Sequence, residues 1–282
     1  MSGALQSWLK PGLILSVLAL LTWLAPASPL DPWNLLSPQK IATMILALAV
    51  IQAFGAGMVQ YLGARTGSLV TGFFGGLISS TATIASLAKK SKAATISGSG
   101  EMLTFLSATG AMLIEGLALV ATGTTDLRLS NLVIFIGPLL ATAWMIVIEF
   151  RAHDDRRSSS TQSTFQILPV LKLALLIVVI LSASQIFQRI FGQNGLLVLT
   201  SLVSLFEIHG SVIANVQMHE AGLVSAQFLC SLLAVSIVAS YLSKIFLITT
   251  LGSARLRSQA LWRTFYLFCS LGISWLAAMS LG

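Results

Sequence analysis

Apolar stretches of about twenty residues follow one another along most of this 282-residue chain, separated by short polar connections. A helix needs about 20 consecutive, mostly apolar residues to cross a bilayer. Only 9% of the residues are charged, whereas a soluble domain needs about a quarter to cover its surface. The sequence therefore predicts an all-α polytopic membrane protein that contacts the lipid bilayer. The stretches are 8–28, 40–62, 67–88, 101–122, 130–150, 166–189, 195–218, 222–250 and 260–281.

The excess of basic residues does not indicate a nucleic-acid partner. The net charge of +7 comes from short clusters between the apolar stretches, which is typical of the cytoplasmic loops of membrane proteins. Cys230 and Cys269 lie inside apolar stretches, without the spacing of a metal site or of a disulfide framework. The first apolar stretch resembles a signal peptide. Because further apolar stretches follow it, we interpret residues 1–30 as a retained extra helix.

Two parts of the chain are similar to each other. The string YLGARTGSLVTGFFGGL (61–77) aligns without a gap with RIFGQNGLLVLTSLVSL (189–205), which places Gly67 opposite Gly195. We therefore predict two repeats within one membrane domain, about 40–150 and 166–281. The wider boundaries are 31–150 and 165–282, with a polar linker over 151–164. Duplicated units are common in transporters, and chance similarity between apolar strings is the alternative.

The distribution of basic residues distinguishes two topologies. If every segment crosses the membrane, seven basic residues lie on each side, and the positive-inside rule gives no orientation. If segments 67–88 and 195–218 enter and leave on the same side, eleven lie on one side and three on the other. The rule favours this second arrangement, in which the repeats are inverted and each contains a re-entrant or broken helix. It also predicts a cytoplasmic N-terminus, in a bacterial inner membrane.

The first candidate site segment is rich in small and hydroxyl residues. Ser79, Ser80 and Thr81 follow the pair Gly75 and Gly76. Non-helical backbone at membrane depth is tolerated only inside protein or along a water-filled cavity, where freed carbonyls and hydroxyls can bind an ion. The alternative is close helix packing through the small residues.

The corresponding segment of the second half carries two ionisable residues. Glu207 aligns with Ser79, and His209 aligns with Thr81. Insertion of a charged residue at the centre of a membrane helix costs about 2.5–3.5 kcal/mol, so an ionisable residue there is by default a candidate functional residue. A spacing of two does not place both side chains on one helical face, so they converge only where the helix is unwound. Together they could bind a divalent metal ion or exchange a proton; a neutral, hydrogen-bonded glutamate is the alternative.

Two further ionisable residues lie deep in apolar segments. Glu115 and Lys244 occupy nearly equivalent places in the two halves. We predict an intramembrane charge pair between them, because pairing neutralises both charges. The pair would have a structural role or take part in gating or proton coupling.

The strings DPWNLLSPQKIATMILALAV (31–50) and YLGARTGSLVTGFFGGLISSTATIASLAKKSK (61–92) resemble an uncharacterised bacterial membrane domain family that occurs C-terminal to MgtC/SapB-type domains. The motifs that carry the resemblance are Asp31-Pro32, Ser37-Pro38, a glycine turn over 63–67 and the Gly-Gly-Leu-x-Ser-Ser-Thr-Ala block over 75–82. The resemblance covers nearly the whole chain and implies the membrane fold. The association with MgtC implies magnesium or general ion homeostasis.

Two positions depart from the pattern of that family. The family has a Gly-Leu-x-Asp-x-Asp-Ala type of block where this chain retains one acid, Glu207, and has His209 in place of the other. The family also has an arginine near the position of Glu115. Because both differences change charges at candidate site positions, the resemblance implies the fold more than the substrate.

These features lead to two hypotheses for the function. The first is a secondary transporter or channel for a small ion, with a cation favoured, whose midplane site lies between the repeats and contains Ser79, Ser80, Thr81, Glu207 and His209. The alternative is a non-transporting accessory or regulatory membrane subunit. An enzyme is not expected, because no nucleophile elbow, phosphate loop, zinc spacing or redox pair is present in the sequence. The cofactor is unknown, and a homo-oligomer, the transported ion and its direction are left open.

Overall fold

A computed structural model of the protein describes residues 2–29, 37–62, 67–93, 99–125, 128–151 and 167–281. Within these ranges the regular elements are α-helices. They are α1 (Ser2–Leu24), α2 (Pro38–Leu62), α3 (Ser68–Ala93), α4 (Ser99–Gly123), α5 (Leu129–Arg151), α6 (Ile167–Phe206), α7 (Ile208–Glu220), α8 (Ala226–Leu251) and α9 (Ala254–Leu281). The Asp31-Pro32 pair, residues 63–66 and the predicted linker beyond Arg151 lie outside the described residues.

Seven helical segments in the described ranges are long and apolar enough to cross a membrane. They are Pro38–Val59, Ser68–Ala93, Gly100–Gly123, Leu129–Arg151, Ile186–Phe206, Ala226–Leu251 and Ala254–Leu281. Large apolar side chains such as Leu140, Trp144 and Phe246 are more than 60% exposed on the outside of the bundle. A surface of this kind is suited to lipid rather than to water. The prediction of an all-α, multi-pass membrane protein is therefore confirmed.

Several predicted boundaries differ from the observed helices: α3 continues to Ala93, α6 continues through the predicted gap after residue 189, and α9 begins at Ala254. Helix α1 ends at Leu24, before the end of the predicted segment 8–28, where Pro26 disfavours a helical conformation of the preceding residue, Ala25. The predicted segment 195–218 is divided at Glu207 into the end of α6 and most of α7.

Helix α4 lies at the centre of the bundle. Its apolar span is 83% buried, whereas the other six spans are 22–50% buried. Glycines bring α3 very close to it. A Cβ atom at Gly72 would lie 2.6 Å from the carbonyl oxygen of Thr104, and one at Gly76 would lie 2.6 Å from the Cα of Ala108. The two backbones are therefore in direct contact, as is usual where small residues face each other in membrane helices.

The contacts between α3 and α4 give the direction of the chain. Ser68 lies against Gly100, Gly72 against Thr104 and Gly76 against Ala108. Each step of one turn along α3 is matched by a step of one turn forward along α4, so the first part of α3 runs parallel to α4. Because only residues 94–98 connect the two helices, the second part of α3 must run in the opposite direction. The reversal is at Ser79, whose φ of −168° and ψ of 104° are extended rather than helical.

The chain reverses in the same way between α6 and α7. Glu207 has an extended φ of −147° and ψ of 99°, and the Thr200 hydroxyl donates to Asn215 Oδ1 at 3.1 Å. In one straight helix, residues fifteen positions apart would be about 22 Å from each other. Helix α7 therefore lies beside the end of α6. Helix α6 itself is interrupted at Gly192, whose φ of 58° is in the left-handed region that favours glycine.

Structural landmarks recur along the chain at the offset of the sequence alignment. The alignment that places Gly67 opposite Gly195 also places Ser79, the first reversal, opposite Glu207, the second reversal. The same offset relates the ends of α4 and α8, at Gly123 and Leu251. The similarity between the two strings is therefore accompanied by a similarity in where the helices are interrupted and where they end.

Hydrogen bonds hold the ends of both folded-back segments. The Thr125 backbone N–H and hydroxyl donate to the two carboxylate oxygens of Glu220 at 3.0 and 2.8 Å, and the Lys40 ammonium donates at 2.6 Å. In the other segment, the Ser253 backbone N–H donates to the Ser91 hydroxyl at 3.0 Å. Burial raises the pKa of Glu220, but the hydrogen bonds from Lys40 and Thr125 outweigh it, so the pKa lies below its ordinary value of 4.5.

We expect Gly76→Ala to destabilise the protein by about 2–3 kcal/mol, because the added methyl group meets the backbone of Ala108, which cannot move aside without separating α3 from α4. The matched control is Gly272→Ala in α9, where no atom lies within 4 Å of the new methyl group. Thermal unfolding in detergent measures both variants. Equal midpoints for the two would contradict the close packing of α3 on α4.

The contacts of the Glu220 carboxylate with Lys40 and Thr125 should weaken in acid. Because its folded-state pKa is lowered, the carboxylate contributes stability above about pH 4.5, and the contribution is lost as the pH falls through the folded-state value. Glu220→Gln should cost about 1 kcal/mol near pH 6, a modest value because the Lys40 side chain is 39% exposed. Wild type and variant should converge in thermal unfolding once the pH has fallen below the folded-state value. A difference that persists unchanged in acid would rule out this role.

Candidate functional site

The two reversals place polar side chains at the beginnings of short helical segments. Ser79 Oγ accepts a hydrogen bond from the Ala82 backbone N–H at 3.3 Å, and Glu207 Oε1 accepts one from the His209 backbone N–H at 3.1 Å. Each side chain therefore caps the helix that follows, because it satisfies a donor that has no partner in the first turn. The same backbone conformation is stabilised by a hydroxyl in one half of the chain and by a carboxylate in the other.

Glu115, Glu207 and His209 form a cluster at the second reversal, which we call the acid–histidine cluster. His209 Nδ1 lies 2.9 Å from Glu207 Oε1, and His209 Nε2 lies 3.1 Å from Glu115 Oε2. The second contact has an ion-pair distance without the alignment of a hydrogen bond, so neither oxygen of Glu115 accepts a hydrogen bond from a described residue. The extended backbone at Glu207 brings its side chain and that of His209 together.

The exposure of the three side chains decreases along the cluster. The Glu207 side chain is 39% exposed, that of His209 is 8% exposed and that of Glu115 is completely buried. One imidazole ring therefore connects a partly exposed carboxylate to a completely buried one.

A neutral imidazole carries one N–H, and a protonated imidazole carries two. The two ring nitrogens of His209 lie 2.9 and 3.1 Å from carboxylate oxygens, so protonation of the ring would place an N–H in each contact. An imidazole that bridges two carboxylates in this way is suited to accept and release a proton.

Lys244 does not contact Glu115 directly, which differs from the charge pair expected from the sequence. Its ammonium donates to Ser240 Oγ at 2.5 Å and lies 2.9 Å from Met112 Sδ. His209, at the start of α7, occupies the place beside Glu115. The carboxylates of Glu115 and Glu207 still act on Lys244 through their charge, and Lys244 is only 1% exposed.

The hydroxyl residues of the first reversal lie apart from this cluster. Ser80 is buried, and Ser79 and Thr81 are partly exposed. Among the contacts that the structure describes, none joins these three residues to Glu207 or His209. A site that all five residues share stays a prediction.

A polar network that sequence reasoning missed lies inside the folded-back segment. Asn215 accepts from Thr200, and its amide donates to Ser236 Oγ at 3.4 Å. The Ser211 and Ser236 hydroxyl oxygens are 3.3 Å apart. Asn215 could have been recognised in the sequence as an amide within an apolar stretch. Because a buried polar group requires a hydrogen-bond partner, such a residue predicts a polar contact inside the bundle.

The described residues give little support to a metal centre. Among them, no group of three or more His, Cys, Asp or Glu side chains has a geometry that could hold a metal ion. Both ring nitrogens of His209 face carboxylates, so a metal ion bound by Glu207 and His209 would first have to displace one of those contacts.

The fold and the buried cluster define a multi-pass membrane protein with titratable groups at the centre of its helix bundle. The chain belongs to the family described as Domain of unknown function (DUF4010), whose model matches residues 46–252. This range contains both reversals, the acid–histidine cluster and Lys244. The resemblance to an uncharacterised domain family is thus confirmed, whereas the association with MgtC/SapB-type domains stays a prediction. No curated protein and no solved structure matches the chain.

The contact between His209 and Glu115 can be measured as a coupling energy. We expect His209→Gln to destabilise the protein by about 3–5 kcal/mol, since it removes the partner of a buried acid. In the double variant with Glu115→Gln, the losses should be non-additive by about 1–3 kcal/mol. The matched cycle of Lys244→Gln with Glu115→Gln should give a smaller coupling. Thermal unfolding of the variants tests this, and a larger coupling to Lys244 would contradict the observed pairing.

Proposed function

We propose that this protein is a secondary transporter for a small cation, in which the acid–histidine cluster exchanges a proton during transport. The observation that carries the proposal is the fully buried Glu115, which accepts no hydrogen bond from the described residues and lies 3.1 Å from His209. A site of this kind holds a proton in one state and offers negative charge to a cation in another.

A purely structural role accounts less well for the same residues. Charges inside a membrane protein are costly, so a structural ion pair is stable only when its polar atoms are fully hydrogen-bonded. The two oxygens of Glu115 and the Nε2 of His209 lack such bonds among the described residues. Side chains that change hydrogen-bond partners during transport are expected to have unfilled hydrogen-bonding capacity in any one state.

The course of the chain supports an arrangement of two inverted repeats. The first part of α3 runs parallel to α4, so that segment returns to the side on which it began, and α6 and α7 fold back in a similar manner. Each repeat then has three crossings, an odd number, and opposite orientations follow. Repeats of this kind place the substrate site near the midplane, at interrupted helices.

The charge distribution supports the orientation. With both segments folded back, eleven basic residues would lie on one side and three on the other, which favours a cytoplasmic N-terminus in a bacterial inner membrane. Within the site, Glu207 is the point at which protons enter, because it is the most exposed member of the cluster.

Proton movement in liposomes tests the proposal. Wild-type protein should release protons from vesicles loaded with a pH-sensitive dye when a cation gradient is applied. Glu207→Gln and Glu115→Gln should each lower the rate by about 10- to 100-fold, since both remove a proton acceptor. The matched control is Glu101→Gln in the first turn of α4, which should retain the rate within about twofold.

Two outcomes would change the conclusion. Flux in Glu207→Gln equal to that of wild type removes Glu207 from the mechanism. No proton movement in wild type under any cation gradient favours the alternative, a non-transporting accessory or regulatory subunit.

A further inference from the structure

A cavity of about 270 Å³ lies between the ends of α3 and α8, and it shares no lining residue with the acid–histidine cluster. We call it the lysine pocket. Two ammonium groups, one hydroxyl group and apolar side chains line it, and no acidic side chain of the described residues does so. The lining residues are Lys89, Lys92, Ala93, Thr250 and Leu251.

The fold sets the positions of the two lysines. Lys89, Lys92 and Ala93 are three and four positions apart, so they share one face of α3. Both lysine side chains are exposed. The Ser253 backbone N–H, which directly follows α8, donates to the Ser91 hydroxyl on α3 at 3.0 Å. This hydrogen bond holds the end of α3 beside the end of α8, and the pocket lies between them.

The junction of α3, α8 and α9 is strongly basic. No acidic residue occurs over residues 82–93 or 246–263. Arg255 and Arg257 in the first turn of α9 add two positive charges to those of the lysines. Glu101, at the start of α4, lies within electrostatic range of Arg255 and offsets one of these charges. The junction therefore keeps a net positive charge, which favours an anionic ligand.

The lysine pocket lies where two membrane spans end. Ala226–Leu251 and Ala254–Leu281 are both long and apolar enough to cross a bilayer, so the short connection between them lies at the level of the lipid head groups. Thr250 shares one face of α8 with Phe246 and Leu242, because the three are spaced by four residues. Phe246 is 65% exposed and Leu242 is 48% exposed. The pocket therefore borders an apolar surface suited to acyl chains.

We propose that the lysine pocket binds the head group of an anionic phospholipid. The two ammonium groups and the Thr250 hydroxyl contact the phosphate, and an acyl chain lies along the exposed face of α8. Basic pockets between membrane helices bind anionic head groups in this way, and a lysine ammonium binds phosphate as a point charge. The apolar face beside the pocket favours a lipid over free phosphate, which has no apolar part. Such a lipid site does not depend on the proposed transport.

Native mass spectrometry of the full chain in detergent measures the affinity for the first bound lipid. Dioleoyl phosphatidylglycerol should bind about 10-fold or more tightly than dioleoyl phosphatidylcholine, because the two lipids have the same acyl chains and differ in net head-group charge. An excess of inorganic phosphate should displace phosphatidylglycerol no better than chloride at the same ionic strength. Specific displacement by phosphate would assign the pocket to a free anion and overturn the lipid site.

Lys89→Gln combined with Lys92→Gln tests the location of the site. This double variant should lower the affinity for phosphatidylglycerol about 10-fold or more and leave that for phosphatidylcholine within about twofold. The matched control combines Lys90→Gln with Lys172→Gln, which removes the same charge from exposed lysines that do not line the pocket. It should lower the affinity by less than about threefold. Lys89→Arg combined with Lys92→Arg should retain binding, because arginine also binds phosphate.

Three further results would overturn the lipid site. Equal affinities of wild type for the two lipids rule out recognition of the head-group charge, and this measurement requires no variant to fold. Equal losses in the two glutamine double variants attribute the effect to the overall charge of the protein rather than to the pocket. An unchanged preference in Lys89→Gln with Lys92→Gln excludes both ammonium groups as ligands. None of these results bears on cation-driven proton movement, which is tested separately.

Discussion

The buried carboxylate of Glu115 sets the principal constraint on this structure. At the centre of an apolar helix bundle, a negative charge is tolerated only when a proton or a positive group accompanies it. The start of α7 brings His209 to that position, and it does so because the chain reverses at Glu207. Helix α8 adds Lys244 within electrostatic range. The reversal, the imidazole and the buried ammonium therefore all respond to the same electrostatic requirement.

The two halves of the chain use one backbone geometry with different chemistry. Extended residues at Ser79 and Glu207 interrupt the helices at aligned positions, and each side chain caps the segment that follows. The cap formed by the Ser79 hydroxyl is neutral, whereas the cap formed by the Glu207 carboxylate belongs to the acid–histidine cluster. If the halves are descended from one unit, the geometry was retained while only the second reversal carries a carboxylate.

Much of the fold could be predicted from the sequence, because an apolar stretch of about twenty residues has few alternatives to a membrane helix. The cost of ionisable residues in such stretches also singled out Glu207, His209, Glu115 and Lys244 as candidates. The sequence did not show which of these groups contact one another. Glu115 and His209 lie on α4 and α7, far from each other in the sequence, and no periodicity reports which of two positive residues a distant acid will contact. That choice depends on how α7 is placed against α4, which the chain reversal at Glu207 determines.

The position of Glu115 also has a consequence for biosynthesis. During translation, α4 is made before α7 and α8, so Glu115 enters the membrane when neither His209 nor Lys244 yet exists. An ionised side chain would then have no counter-charge in the hydrocarbon region. Insertion of the nascent helix is therefore less costly with this glutamic acid protonated, and the cost of ionisation falls once the rest of the chain has been assembled around it.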